Sequence, residues 1–356
     1  MSNSELLNFF AQQAAGGRML VLASVYETQG STYSKTGARM LISPDGVFQG
    51  MLSGGCLEGD LAERAARVAA SGQPEQVTYD LGLNDEELWG LGVGCDGLMR
   101  IFLQPLGPSD GYEPFATMAR ELDGDEAAVC ATALNDAGRG PIAGASLVTG
   151  GGRTANFGFP QPWLEAVESV AQSALSNGKS RTDRVEVAGD SADILFGVLR
   201  PPPRVLVLGA GLDAQPVVRL CAELGWRVTV QDHRPAYVQK GDFSRARRIV
   251  CVPAEELPGA LDLDDFDAAI IMSHHLATDR VYLRLVAETG MPYVGLLGPS
   301  DRRRRLVQEL GAPADRLAGR LHGPAGLDIG GRGPGSIALS IVAEMHLQLI
   351  GGRDGY

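Results

Sequence analysis

What this 356-residue chain lacks narrows its chemistry first. It has only five cysteines, at positions 56, 95, 130, 221 and 251, widely spread and with no CxxC pair. A disulfide framework and a zinc ribbon both need closely paired thiols, so neither is expected, and the cysteines read as free. Positive charge is also short. A net charge of -12 argues against a protein that grips nucleic acid or an anionic membrane, since both need a clustered basic surface. No apolar run reaches the roughly eighteen residues of a membrane span. The amino terminus, MSNSELLNFFAQQ, has no basic segment ahead of an apolar one, which speaks against a secretory signal and for a cytoplasmic protein. Ser2 followed by Glu5 reads instead as a capping box that opens a helix. Finally, no histidine precedes His233, so the cysteines of the first half have no base nearby in sequence to make them nucleophiles.

What is present describes a folded α/β protein. Hydrophobic residues at 44% and charged ones at 21% suit a globular chain, and its length predicts two cores with a small connecting lobe. Two composition breaks stand out: LQPLGPSDGYEP (103–114) and the stiff LRPPPR (199–204). Before the first, MLVLASVYET, ARMLISPDG, VFQGMLSG and GLMRIFLQPL read as strands, with PDG at 44–46 as a hairpin turn. LEGDLAERAARVAA (57–70) reads as a helix stopped at Gly72. Between the breaks, EAAVCATALNDA and GASLVTGGGRTANFG look like two strands joined by a glycine-rich turn. A helix near 162–176 and the strands RVEVAG and ADILFGVL follow. After Pro203 strands and helices alternate, the pattern of a doubly wound parallel sheet. The expected fold is thus an amino-terminal αβ domain over 1–108, an αβ lobe with proline linker over 109–200, and a Rossmann-like doubly wound parallel sheet domain over 201–356.

The last domain opens with VLVLGAGLDA, in which Gly209, Gly211 and Ala214 form a GxGxxA fingerprint between a strand and a helix. The first glycine makes the tight turn, the second admits a pyrophosphate, and the small third residue lets helix and sheet approach. Asp232 ends the next strand, where an acid can bind a ribose hydroxyl, while Arg234 blurs any preference between NAD and NADP. A crevice turned to another ligand, or to packing, stays open as an alternative. His274 and His275 follow the strand AAIIMS at the edge where such sheets place their sites, either as functional groups or as a surface pair. LLGPSDRRRR combines a helix start with arginines, readable as an anion site or as a solvated helix face. GLDIGGRGPGS offers a glycine loop before the last helix, with Arg332 available for a phosphate.

Two cysteines sit in unusual company. Cys56 in SGGCLEG and Cys95 in GVGCDG each lie in glycine-rich backbone, whereas Cys130, Cys221 and Cys251 have apolar neighbours and are assigned to cores. A cysteine at a helix start is favoured as thiolate, the form that binds soft metals and sulfur. For either residue alone, a glycine-shaped turn with the thiol filling a small hole is the simpler account. The repetition favours a role for Cys56.

Taken together, GSTYSKTGARMLISPDGVFQGMLSGGCLEGDL, GLGVGCDG, PPPRVLVLGAG, VTVQDHRP, SHHLATD, GLLGPSDRRRRL and GLDIGGRGPGSIALSIVAE resemble the xanthine dehydrogenase accessory proteins, the XdhC/CoxI family. The resemblance spans nearly the whole chain. It implies an accessory protein rather than an enzyme, one that binds the molybdenum cofactor (molybdopterin) and protects it while a cysteine desulfurase supports its sulfuration. Such a protein then passes the cofactor to a molybdenum hydroxylase client. By this resemblance Cys56 handles the cofactor and its metal, Cys95 is the next candidate, and Gly54, Gly55, Glu58 and Arg39 line the same site. A homodimer is expected. The alternative from the residues themselves is an NAD(P)-dependent oxidoreductase, with His274 or His275 as acid-base group.

Overall fold

The computed structural model describes residues 3–80 and 97–351. Ser2 and Cys95 lie outside them, so the capping box and the second glycine-cysteine loop are not described. The chain divides into two compact units, residues 3–201 and the part from Pro202 onward. Among the described residues no helix is long and apolar enough to cross a membrane.

The first unit runs α1 (Asn3–Ala15), β1 (Leu20–Gln29), β2 (Arg39–Ile42), β3 (Phe48–Gly50), α2 (Glu58–Ser71), β4 (Glu75–Asp80) and β5 (Leu98–Leu106). It continues with α3 (Phe115–Asp123), β6 (Ala128–Ala133), β7 (Ser146–Gly150), β8 (Arg153–Phe157), α4 (Gln161–Asn177), β9 (Arg181–Val187) and β10 (Asp190–Leu199). The strands form two five-stranded antiparallel sheets, ordered β3-β2-β1-β5-β4 and β8-β7-β6-β10-β9.

These sheets pack on each other. Leu20, Leu22 and Leu41 of the first sheet share a core with Ala128, Cys130, Val148 and Leu199 of the second. The alternate residues Val21, Ala23, Val25, Met40 and Ile42 turn the other way, onto Leu61, Ala65 and Val68 of α2. On the far side of the second sheet, Val129, Ala131 and Phe196 meet Trp163, Val167 and Ala171 of α4. Helix, sheet, sheet and helix thus stack in four layers. β1 is buried on both faces, which is why it reads as a nearly unbroken apolar run.

The second unit runs β11 (Arg204–Leu208), α5 (Ala214–Glu223), β12 (Arg227–Gln231), α6 (Pro235–Lys240), β13 (Arg248–Val250), α7 (Leu257–Ala260) and β14 (Ala268–Ile271). Then come α8 (Leu276–Ala287), β15 (Tyr293–Leu296), α9 (Ser300–Leu310), β16 (Leu321–His322) and α10 (Pro334–Leu349). Its six strands are all parallel, ordered β13-β12-β11-β14-β15-β16. This is the doubly wound, Rossmann-like sheet expected, with its topological switch point between β11 and β14.

Several local expectations change. GASLVTGGGRTANFG forms not one strand but the hairpin β7–β8, because Gly151 and Gly152, both at positive φ, turn the chain back. Cys251 is exposed rather than in a core: β13 is an edge strand of three residues that ends one position earlier. The arginine run is a charged helix face. Arg302 pairs with Asp279 at 2.6 Å and Arg305 with Glu309 at 2.8 Å, and Arg304 pairs with Asp301.

Candidate functional site

Cys56 lies in the loop between β3 and α2, half-buried, its side chain packed against the core under α2. The loop is shaped by glycines at positive φ, Gly54 at 76° and Gly55 at 112°. Among the described residues nothing lies within 4 Å of a Cβ built at Gly55, so none of them covers the backbone next to the thiol. On the other side a Cβ at Gly54 would come within 3.3 Å of the ring of Tyr33, which is 60% exposed. Sequence reasoning did not single out Tyr33. Its place in GSTYSK, a turn-rich stretch ahead of β2, was the available signal.

Glu58 holds this loop from beneath and does not line its open side. Buried at 4% exposure, it accepts from the N–H groups of Leu52 (3.2 Å) and Ser53 (3.0 Å) on Oε1. Its Oε2 accepts from the Ser53 hydroxyl and from the N–H groups of Gly55 (3.0 Å) and Leu57 (3.2 Å). Burial alone would raise this carboxyl, but the Ser53 hydroxyl and the converging N–H groups outweigh it and hold the group below the usual carboxylate range. The carboxylate is thereby spent on fixing the backbone that carries Cys56.

The structure does not bring the Arg39 side chain to this loop. Met40 and Ile42 face α2 and share its core with Cys56, so Arg39, like Leu41, projects between the two sheets. Its guanidinium lies against Gly197 of β10, where any side chain would collide with it. Burial there pulls its pKa down, with a smaller opposing effect from the neighbouring Cys130 thiol. Among the described residues no group of three or more His, Cys, Asp or Glu side chains is arranged to hold a metal ion. Among the described residues Cys56 is thus not part of a metal-holding cluster.

In the second unit the fingerprint has the expected backbone. Gly209 has φ 122°, and a Cβ there would fall 2.6 Å from the Met272 carbonyl oxygen. Only glycine fits that approach to β14. The crevice itself is filled by the chain's own side chains. Asp232 accepts on Oδ1 from the N–H and Nε of Arg234, each at 2.9 Å. On Oδ2 it accepts from the Ala210 N–H and Arg234 Nη2, each at 2.7 Å. A carboxylate offers about four lone-pair directions, so these donors leave none for a ribose diol. Over the glycine loop, His274 Nε2 meets Asp213 Oδ2 at 2.7 Å, and His274 itself adopts φ 62°. A Cβ at Gly211 would lie 2.8 Å from Asp213 and 3.7 Å from the His274 ring. The place where a pyrophosphate would approach is roofed by that pair.

Farther along the same carboxyl edge a cleft of about 620 Å³ lies between the turn after β15 and the glycine loop before α10, lined by Gly298, Leu327, Ile329, Gly331 and Ser336. The starts of α9 and α10 both border it, so backbone N–H groups of two helix termini are at hand for an anion. Arg332 is exposed in the loop immediately before α10.

Comparison with known proteins places these features in context. Residues 13–80 match the model of the XdhC and CoxI family, and residues 205–345 match the XdhC Rossmann domain. Together the two matches take in more than half of the chain. The chain is 27% identical over 325 residues to a probable xanthine dehydrogenase subunit of Bacillus subtilis, covering 91% of this chain and 92% of that protein. It is 22% identical over 343 residues to the molybdenum cofactor insertion chaperone PaoD of Escherichia coli, covering 96% and 86%. Among solved structures, a xanthine dehydrogenase from Bacillus halodurans superposes with a TM-score of 0.79 at 29% identity, covering 98% of this chain and 96% of the other.

Proposed function

The chain belongs to the XdhC and CoxI family, and from that premise we infer that it is a molybdenum cofactor chaperone serving a molybdenum hydroxylase of the xanthine dehydrogenase kind. The observation that carries this reading is the Cys56 loop. A half-buried thiol sits on backbone pinned by Glu58, beside a glycine face that none of the described residues covers and an exposed aromatic ring. Thiolate is a donor suited to a soft, sulfur-ligated metal, and a flat heterocycle can lie against Gly55 and Tyr33 with no side chain of the described residues in the way. The cofactor is cargo. Cys56 and, by the family resemblance, Cys95 would hold it, while Glu58 keeps the loop in shape.

The role that PaoD is named for, cofactor insertion, supports the reading, since that chaperone aligns with 96% of this chain. Within the second unit, the glycine cleft beside α9 and α10 would take an anion of its own. In this account the protein does no turnover of its own. It shields the cofactor in the cytoplasm, works as a homodimer, supports sulfuration by a cysteine desulfurase, and delivers the product to the client. NAD(P) has no part in it, because Asp232 and the glycine loop are occupied as described above.

The test is to express the chain together with a cofactor-producing pathway and measure bound molybdenum and pterin fluorescence. Wild type is expected to retain both, and Cys56→Ala to lose most of the molybdenum while keeping the same thermal unfolding midpoint. Equal, near-background loading of both proteins would sink the proposal.

A further inference from the structure

A second cleft, of about 590 Å³, opens at the carboxyl edge of the parallel sheet, between the turns that follow β12 and β13 and the stretch of α8 from Ala277 to Arg284. Ala254 and Val281 give it apolar lining. Its polar groups are mostly donors. His275 caps α8, its Nδ1 accepting from the Thr278 N–H, with the Thr278 hydroxyl at 2.9 Å. A ring nitrogen that accepts leaves the proton on Nε2, so His275 presents a donor to a ligand. Arg284 is exposed and has no acidic partner among the described residues. Arg280 is shared with Glu309 at 3.3 Å, and one acid, Glu255, joins the lining.

The neighbouring switch point is closed, by Arg234 on Asp232 and by His274 on Asp213. A dinucleotide that needs that crevice therefore has no continuous path, and the cleft is left as a one-nucleotide space of ordinary pocket size. The geometry points to a binding site for a nucleoside monophosphate, its phosphate on Arg284 and His275 and its base along Ala254 and Val281. Charge-assisted bonds from a guanidinium and an imidazole suit a phosphate, and the apolar wall suits a planar base.

Titration calorimetry on the full chain tests this, with AMP as probe and adenosine and inorganic phosphate as its two halves. AMP is expected to bind at least about tenfold more tightly than either half. Arg284→Gln should weaken AMP about tenfold with thermal unfolding unchanged, since the side chain is exposed and without an acidic partner. His275→Asn keeps a helix-capping oxygen and should weaken AMP while leaving adenosine unaffected. AMP binding no tighter than inorganic phosphate, or unchanged in Arg284→Gln, overturns the proposal. None of these readouts involves Cys56, so the site stands or falls apart from the chaperone reading.

Discussion

Arg234 lays its guanidinium edge-on against the carboxylate of Asp232, two residues before it, with Nε on one oxygen at 2.9 Å and Nη2 on the other at 2.7 Å. The same carboxylate receives the Ala210 N–H, so one part-buried ion pair ties the end of β12 to the glycine loop. Burial alone would raise Asp232, but the Arg234 and Ala210 bonds outweigh it and the net shift is downward. A depressed carboxyl contributes stability that is present above its unfolded pKa, near 4, and is lost as pH falls through the lower folded value. Urea unfolding of the wild type should therefore be nearly flat in pH from about 7 to 5 and fall steeply below about 4. Arg234→Gln should cost about 3 kcal/mol at pH 7 and flatten that acid limb. An unchanged acid limb would show that Asp232 is not its source.

Glu58 makes a similar prediction in the first unit, read by kinetics. Glutamine has nearly the same shape but turns an NH2 group toward donors that the carboxylate accepts. Glu58→Gln should lose about 2 kcal/mol, the cost of leaving one or two buried donors unsatisfied. It should also speed the reaction of Cys56 with a small disulfide reagent several-fold, by loosening residues 52–57. Stability loss without any change in thiol rate would mean that Glu58 holds the helix and not the loop.

The thiols should react in a fixed order. Cys251 is exposed, Cys56 half-buried, and Cys130 and Cys221 buried. Burial pushes the Cys221 thiol up to about 12 and also raises Cys130. In a Cys95→Ser background, alkylation followed by mass spectrometry should label Cys251 first and Cys56 next. Cys130 and Cys221 should be labelled only on unfolding. Labelling of Cys56 no faster than that of Cys221 in the folded protein would remove the accessible thiol on which the chaperone reading depends.

How far these features could be read from the chain varies with the range of the contacts behind them. The GxGxxA turn and the parallel sheet were legible because Gly209 and the β-α alternation are local constraints. The four-layer stack of the first unit was not, since it rests on pairings such as Leu199 with Ala128, and on strand faces that meet only across the two sheets. Asp232 looked like a ribose ligand because position and residue type were right; that Arg234 would consume it depended on a rotamer. Arg39 was grouped with Cys56 by resemblance, although strand parity already set its side chain with Leu41, opposite Met40 and Ile42. Glu58 was placed in the right neighbourhood, but only the folded loop shows five donors converging on it.

His274 provides a test of the roof over the glycine loop. It is a non-glycine residue at φ 62°, a conformation that costs an L-residue about 1 kcal/mol, and it is held there beside Asp213 at 2.7 Å. The imidazole is more than half exposed, so its pair with Asp213 adds at most about 1 kcal/mol. Two substitutions separate these effects. His274→Ala removes the pair and keeps the strain; His274→Gly removes both. The glycine variant should therefore be the more stable of the two by about 1 kcal/mol and close to wild type. That order is the reverse of what helix or strand propensity alone would give. Should alanine prove as stable as glycine, the left-handed turn at residue 274 is not a feature of the protein in solution, and the closure of the switch point that rests on it fails as well.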